Sequence, residues 1–433
     1  MKKYLSLLIL FLVFILTGCS AKDYAPKSGS YSKAESESGV YDREPGGFYH
    51  SDAAPSDGGS TDLIWDGGDI YEGDKATNET KPRAGQLTAF ATMDNVKYDF
   101  WKSLINTSQD GNSEFTAFDS NFAFKTKNRI ALTFPKGTFA KVSLLNGDDV
   151  EYVGITDANG VCYVFSSEEK ESYDIKITYF DKDYKLINMN DTVTGDKEYT
   201  IETLEMNSEL IEIMFVIDAT GSMGDEMTYL QAEITDVIKK VKQANNNVKI
   251  LLSIMVYRDK GDEYVTRFSD FTEDVASQIA FLEKQSANGG GDFEEAVDIA
   301  LEEACSKQWT SGNSTKILVH VADAPSHDKD VAKWNTQVKR LAAMGVRILT
   351  VASSGINKQT EYFFRCQSIL TNGVYVHLTN DSGIGGDHID ASTEDKEEVE
   401  LLNDCLVRLI NGFYTGDFGT PINWRQSQST PLS

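Results

Sequence analysis

From about Asn207 to Tyr414 the chain alternates short apolar runs with segments of helical period, and this constrains its fold more than any other feature of its 433 residues. Ile211–Ile217, Ile250–Val256, Ile317–Ala322, Val346–Val351 and Val374–Leu378 each have the length of one strand. They are apolar at nearly every position, as strands covered on both faces must be. Between the first two, Met227, Leu230, Ile234, Ile238 and Val241 mark one face of a long helix. Val275–Leu282, the Ala296, Ala300, Leu301, Ala304 face, Val331–Leu341, Tyr362–Leu370 and Val399–Ile410 predict further helices, and Tyr264–Phe271 a short edge strand. The pattern is that of a doubly wound α/β fold with a mainly parallel sheet over residues 207–414. Residues 415–433 carry little signal.

Residues 85–203 follow a different grammar. Tyr173, Ile175, Ile177 and Tyr179 alternate with Asp174, Lys176 and Thr178, and Ala140, Val142 and Leu144 alternate likewise. Val161, Tyr163 and Phe165 follow the turn Thr156–Gly160, where Asn159 and Gly160 are expected to supply positive φ. This predicts a small all-β sandwich, with Phe100, Trp101 and Leu104, at helical spacing, as core residues. The order Val142–Leu145, Thr156–Gly160, aromatic strand resembles the transthyretin-like module of carboxypeptidase regulatory regions, which implies a spacer or binding module.

At the start, Lys2 and Lys3 precede an apolar run from Tyr4 to Leu16, then Thr17, Gly18 and Cys19, the order of a secretory signal. Leu16–Cys19 resembles the bacterial lipobox, which implies removal of residues 1–18 and lipid on the Cys19 sulfur. Each buried acyl CH₂ contributes about 0.8 kcal/mol, so the lipid would tether the chain to the bacterial membrane on its extracytoplasmic side. No later segment is long and apolar enough to span. Residues 19–84, rich in Ser, Gly, Asp and Glu with almost no aliphatic residues, cannot bury a core and read as a disordered stalk. Asp and Glu number 67 against 41 Lys and Arg, a net charge of −26 that argues against a nucleic acid partner. Cys162, Cys305, Cys366 and Cys405 permit three pairings, or serve as buried thiols; their spacing does not suggest zinc.

In an open α/β sheet, ligands bind outside the carboxyl ends of the strands. The loop after Ile217 begins Asp218, Ala219, Thr220, Gly221, Ser222, setting a carboxylate and two hydroxyls at alternating positions; the loop after Ala322 begins with Asp323. Such oxygen donors suit a hard cation, Mg²⁺ first, then Mn²⁺ or Ca²⁺. Asp218, Thr220 and Ser222 resemble the DxSxS pattern of the metal-ion-dependent adhesion site (MIDAS) of von Willebrand factor A domains, a doubly wound, Rossmann-like family, with Thr220 in place of the first serine. Many members take a further ligand from a threonine in a later loop, which here reads Gly289–Glu295 and has none. Its spacing is similar to integrin β-type A domains, which implies Glu295 as ligand, Asp292 as the alternate, and Asp323 as the last. The same resemblance maps an adjacent metal position onto Asp225 and Glu226, although acids in a helix's first turn also simply favour its positive dipole end.

In the family the ion keeps a coordination position open for an acidic residue of a protein partner. The resemblance therefore implies metal-dependent protein binding or adhesion at the cell surface without catalysis, or an envelope assembly factor using the same site. A serine hydrolase is the competing enzyme reading: Thr220–Gly224 is close to a nucleophile elbow, with Ser222 as nucleophile and Asp323 with His327 or His377 as partners. His320, inside an apolar run, reads as core, and Arg258 with Asp259 as a strand-end ion pair.

Overall fold

A computed structural model describes residues 82–106, 114–122, 124–206, 208–394 and 398–424. The signal peptide, Cys19, nearly all of the stalk and residues 425–433 lie outside the described residues. Among those described, no helix is long and apolar enough to cross a membrane.

The first described strand, β1 (Thr88–Thr92), is followed by the short helices α1 (Tyr98–Ile105) and α2 (Thr116–Asn121). Seven strands come next: β2 (Asn128–Thr133), β3 (Ala140–Asn146), β4 (Asp149–Ile155), β5 (Val161–Ser166), β6 (Tyr173–Phe180), β7 (Leu186–Val193) and β8 (Lys197–Glu198). They form a three-stranded sheet, β5-β2-β8, and a four-stranded sheet, β4-β3-β6-β7. Tyr173, Ile175, Ile177 and Tyr179 of β6 are buried while Asp174 and Lys176 are exposed, so the period of two in the sequence is the period of the fold. In the turn before β5, Gly160 has φ +79°, but Asn159 does not have positive φ. The expected help comes instead from Asp157, whose Oδ1 accepts from the N–H groups of Asn159 and Val161, both at 2.9 Å.

The remaining elements alternate: β9 (Leu210–Asp218), α3 (Met227–Ala244), β10 (Lys249–Tyr257), β11 (Thr266–Thr272), α4 (Val275–Leu282), α5 (Val297–Ser306), β12 (Thr315–Ala322) and α6 (Val331–Ala343), then β13 (Val346–Ala352), α7 (Lys358–Leu370), β14 (Val374–Leu378), β15 (Glu400–Leu401) and α8 (Leu402–Thr415). They build an eight-stranded mixed sheet in the order β11-β10-β9-β12-β13-β14-β1-β15. The five strands from β10 to β14 are parallel neighbours, and β11 and β1 flank them antiparallel. Every residue of β12 and of β13 is buried, because helices and the preceding β region cover both faces. One face packs Ile213, Phe215 and Ile217 against Leu230 and Ile234 of α3 and Leu406 and Leu409 of α8. The other packs Met214, Val216, Leu318 and Ile348 into a core shared with Ile130, Val142 and Ile177 of the β region.

Two boundaries differ from the sequence reading. Residues 85–92 do not belong with the β region: β1 adds to the large sheet, Ala89 opposite Leu378. What fixes them there is the buried Glu233 of α3, whose carboxylate accepts from the N–H groups of Gly85, Gln86 and Leu87 at 2.9, 2.9 and 3.0 Å. Nor is the start of the carboxyl-terminal tail without structure: Phe418 packs edge-on against Phe413, and Trp424 N donates to Val399 O at 2.7 Å. α7 shows why the two regions are one body. From Thr360 to Leu370 it is buried all round, with Tyr362 stacked on Trp101 and Phe363 against Phe124, so it has no wet face to give an amphipathic pattern. Trp101, fully buried, donates through Nε1 to Thr126 Oγ1 at 3.0 Å, and its loss to alanine is expected to cost about 3–5 kcal/mol. Cys162, Cys305, Cys366 and Cys405 are buried free thiols, so none of the three pairings is formed.

Candidate metal centre

β9 ends at Asp218 and β12 at Ala322, one residue before Asp323, on neighbouring parallel strands. Both aspartates are buried. Asp218 Oδ1 accepts from Thr220 N at 2.9 Å and from Thr220 Oγ1 at 2.6 Å, while its Oδ2 has no hydrogen-bond partner. Thr220 Oγ1 also lies 3.3 Å from the hydroxyl of Ser222, which is exposed at the first turn of a 3₁₀ helix over Gly221–Asp225. Aspartate at the strand end, Thr220 beneath it and Ser222 at the mouth thus converge.

The Gly289–Glu295 loop closes over them. Gly221 N donates to Gly289 O at 3.1 Å, and Asp262 Oδ2 accepts from Gly290 N at 2.9 Å. Gly290 has φ +75°, and a Cβ there would stand 3.0 Å from Glu295 Oε1 and 3.4 Å from Thr220 Cβ, so the loop fits this closely only as glycine. Glu295 itself is 2% exposed, its N–H donates to Pro325 O at 2.9 Å, and its Oε2 has no partner.

The electrostatics follow from this crowding. Burial, then the neighbouring Asp323, pushes Asp218 up to about 7; burial, then Asp218, Asp259 and Asp323, pushes Glu295 up to about 9. Two buried carboxylate oxygens that accept nothing, beside two hydroxyls, are the donor set of a hard divalent cation. The residues therefore fit such an ion, which Asp218, Thr220, Ser222, Glu295 and Asp323 would hold through oxygen.

The alternate and adjacent positions fall elsewhere. Asp292 is exposed, and a carboxylate oxygen of it lies within 4.8 Å of ligand atoms of Asp259 and His327, at the rim. Glu295 is the buried acid of this loop, and Asp218 and Asp323 are among the charges that raise it. Glu226 does not face the Asp218 loop with a free carboxylate: its Oε1 accepts from Ser354 N at 3.2 Å and lies 3.1 Å from His388 Nε2, under the loop after β14. The side chain of Asp225 lies outside the described residues.

The residues of the hydrolase reading have other neighbours: the His377 ring meets Phe90 edge-on and stacks on Tyr375. The hydroxyl of Ser222 lies 3.3 Å from Thr220 Oγ1, and His327 Nε2 lies 2.9 Å from Asp259 Oδ1. This also corrects the Arg258–Asp259 pair: Arg258 donates to the carbonyls of Ala219 and Ser286 at 3.0 and 2.9 Å and lies over the Tyr264 ring. His320 is a core residue, held between Tyr257 OH at 3.1 Å and Gln367 Nε2 at 2.8 Å, and burial drives it down to about 3, so it is neutral. Tyr257 escaped the sequence reading. It pairs in register with Asp218 across the parallel ladder, and its phenol, pushed up first by burial and next by Asp218, faces that carboxylate. The signal was available: a polar residue closing the strand next to the one that carries the first ligand.

Residues 212–390 match the von Willebrand factor A domain family. The chain is 27% identical over 198 residues to a putative ariadne-like RING finger protein of Acanthamoeba polyphaga mimivirus, covering 40% of this chain and 19% of that protein. It is 24% identical over 159 residues to the alpha-protein kinase vwkA of Dictyostelium discoideum, covering 36% of this chain and 25% of the kinase. The chain thus spans about a fifth to a quarter of the length of these curated relatives. Among solved structures it is similar to the conserved hypothetical protein BatB of Bacteroides thetaiotaomicron, with TM-score 0.30 and 12% identity, covering 39% of this chain and 89% of that one. It is likewise similar to the pilus adhesin SpaC of Lactobacillus rhamnosus GG, with TM-score 0.33 and 12% identity, covering 64% of this chain and 35% of the adhesin. The match takes in most of β9 through β14 and the loops that carry Asp218, Glu295 and Asp323.

Proposed function

We propose that this is an exported, lipid-anchored bacterial surface protein that binds an acidic group of a protein partner through a divalent cation, without catalysing a reaction. The observation that carries the reading is the pair of buried, unpartnered oxygens, Asp218 Oδ2 and Glu295 Oε2, beside the Thr220 and Ser222 hydroxyls. Left bare, like-charged carboxylates about 4 Å apart repel by about 4 kcal/mol at an effective dielectric of 20; a cation turns that repulsion into attraction. The all-oxygen donor set favours Mg²⁺, with Mn²⁺ or Ca²⁺ as substitutes. Ser222 is exposed, so the bound ion would face solvent and could accept a carboxylate from outside. The Cys19 lipid and the stalk would hold the domain off the membrane.

Titrating MgCl₂ into the metal-free full chain while following thermal unfolding tests the site. A ligand bound only by the folded state raises stability by RT ln(1 + [L]/Kd), about 2.7 kcal/mol at 100 times Kd. Wild type is expected to respond and Asp218→Ala to lose the response. An unchanged melting temperature in wild type at millimolar Mg²⁺, Mn²⁺ and Ca²⁺ sinks the reading.

A further inference from the structure

The sheet's other end holds a second cluster of buried charge that the metal centre does not use. A cavity of about 200 Å³ opens between the β region and the amino ends of β12 and β13, lined by Thr156 and Asp157 on one side and by Lys316, Gly345 and Arg347 on the other. Arg347 is 6% exposed and Lys316 3%, and neither forms a salt bridge among the described residues. The Arg347 guanidinium donates to Thr156 O at 2.9 Å and Gly345 O at 3.2 Å, while its Nε–H is buried with no acceptor. Lys316 Nζ donates to Gly312 O at 3.0 Å and keeps two donors unspent.

The nearest acids are committed elsewhere. Asp157 Oδ1 accepts from two turn N–H groups and its Oδ2 from Asn372 Nδ2 at 3.2 Å; Glu212 accepts from Thr310 N at 2.7 Å and Ser314 Oγ at 2.6 Å. Burial pulls Lys316 down to about 8, a way of shedding an uncompensated charge, but the guanidinium stays protonated. Asp157 and Glu212 favour the charges of Arg347 and Lys316 from nearby but accept no hydrogen bond from them, so the buried Arg347 Nε–H and the spare Lys316 N–H groups remain open to an anion from outside the chain. Lys136 adds a third cation at the lip, in a protein whose net charge is −26.

We propose that this cavity is an anion site that takes the phosphate or carboxylate end of a small molecule, held by Arg347 and Lys316. The Arg347 Nε–H and the spare Lys316 N–H groups supply charge-assisted donors, and the cavity's size admits a compact oxyanion. The bound anion would join the Ile155–Ala158 segment to the sheet, because Arg347 already holds Thr156 O. The site stands apart from the metal centre, at the opposite ends of the same strands.

The test uses the metal-free full chain, inorganic phosphate and succinate as separate probes, and NaCl at matched ionic strength as the control. Phosphate, succinate or both are expected to move the Arg347 Nε–H NMR resonance and to raise Tm saturably. Phosphate alone marks a phosphorylated ligand, succinate alone a carboxylate. Lys316→Met is expected to weaken the responding anion about 10- to 100-fold, the worth of one hydrogen bond to a charged group. Should that variant fail to fold, the wild-type Arg347 resonance decides alone. A resonance that moves no more than in NaCl, or Lys316→Met binding as tightly as wild type, overturns the proposal.

Discussion

At the carboxyl ends of β9 and β12, Asp218 and Asp323 are buried beside Glu295; at the amino ends of β12 and β13, Lys316 and Arg347 are buried near Glu212 and Asp157 but donate their hydrogen bonds to backbone carbonyls instead. Between the β region and α7 lies a third ionic cluster of the opposite kind. Arg365, fully buried, meets Asp94 through Nε at 3.0 Å and through Nη2, and Glu361 through Nη1 at 3.1 Å. There cation and anion are supplied by the same chain, and the cluster is a structural tie. At the carboxyl ends the acids crowd one another, and at the amino ends Lys316 and Arg347 lie near Glu212 and Asp157 without a hydrogen bond to either carboxylate, so both ends keep polar groups open to a ligand of the kind proposed above. Incomplete pairing, more than burial or charge alone, is therefore what sets the two proposed sites apart from the brace at Arg365.

The sharpest way to break that distinction is to remove one acid from each kind of cluster. Asp94→Ala leaves the Arg365 guanidinium buried and half-paired, and is expected to cost about 3–5 kcal/mol in urea unfolding. Asp218→Asn removes a charge that repels Asp323 and Glu295 while keeping an oxygen for the Thr220 N–H and hydroxyl, and is expected to raise metal-free stability by on the order of 1–4 kcal/mol while abolishing the Mg²⁺ response. Opposite signs for two buried aspartates would uphold the comparison. A large loss in both would place Asp218 among the structural ties.

A pH series sharpens the same point. Asp218, at about 7, and Glu295, at about 9, lie above their unfolded values, so between roughly pH 4 and 9 the metal-free folded state holds more protons than the unfolded chain. Their contribution is fully present below the unfolded values and is lost as pH rises through the folded ones. Metal-free stability is therefore expected to fall from pH 5 to 9, and Asp218→Asn to flatten the slope in guanidinium titrations. A wild-type slope no steeper than the variant's would mean the carboxylates do not crowd one another.

How much of this was legible beforehand follows the physics of each signal. The buried parallel strands announced themselves, since β12 and β13 have no wet face and so no polar interruption beyond Thr315, Lys316, His320, Arg347 and Thr350. The hydrogen-bonded turn of Asp218, Thr220 and Ser222 was legible because its side chains are local in sequence. β1 was not, because a strand added to a sheet edge by Glu233, far along the chain, leaves no local mark of which sheet it joins. The cavity around Arg347 was equally hidden: a single arginine near a strand's start reads as surface until the turn at Thr156 is seen to bury it.

The smallest expected effect tests whether the glycine loop is a fitted cover or a loose one. Gly290 combines φ +75° with a Cβ position 3.0 Å from Glu295 Oε1, whereas Gly291, its neighbour, has nothing within 4 Å and no positive φ. Gly290→Ala is expected to cost about 1–2 kcal/mol, the penalty of a left-handed alanine, and to weaken Mg²⁺ binding by moving Glu295. Gly291→Ala is expected to stay within about 0.5 kcal/mol of wild type, as an exposed substitution that meets no atom. Equal costs at both positions would mean the loop rearranges freely around the site. The difference predicted here means instead that the amino-acid choice at Gly290 fixes where the buried Glu295 oxygen stands, and with it the geometry offered to the ion.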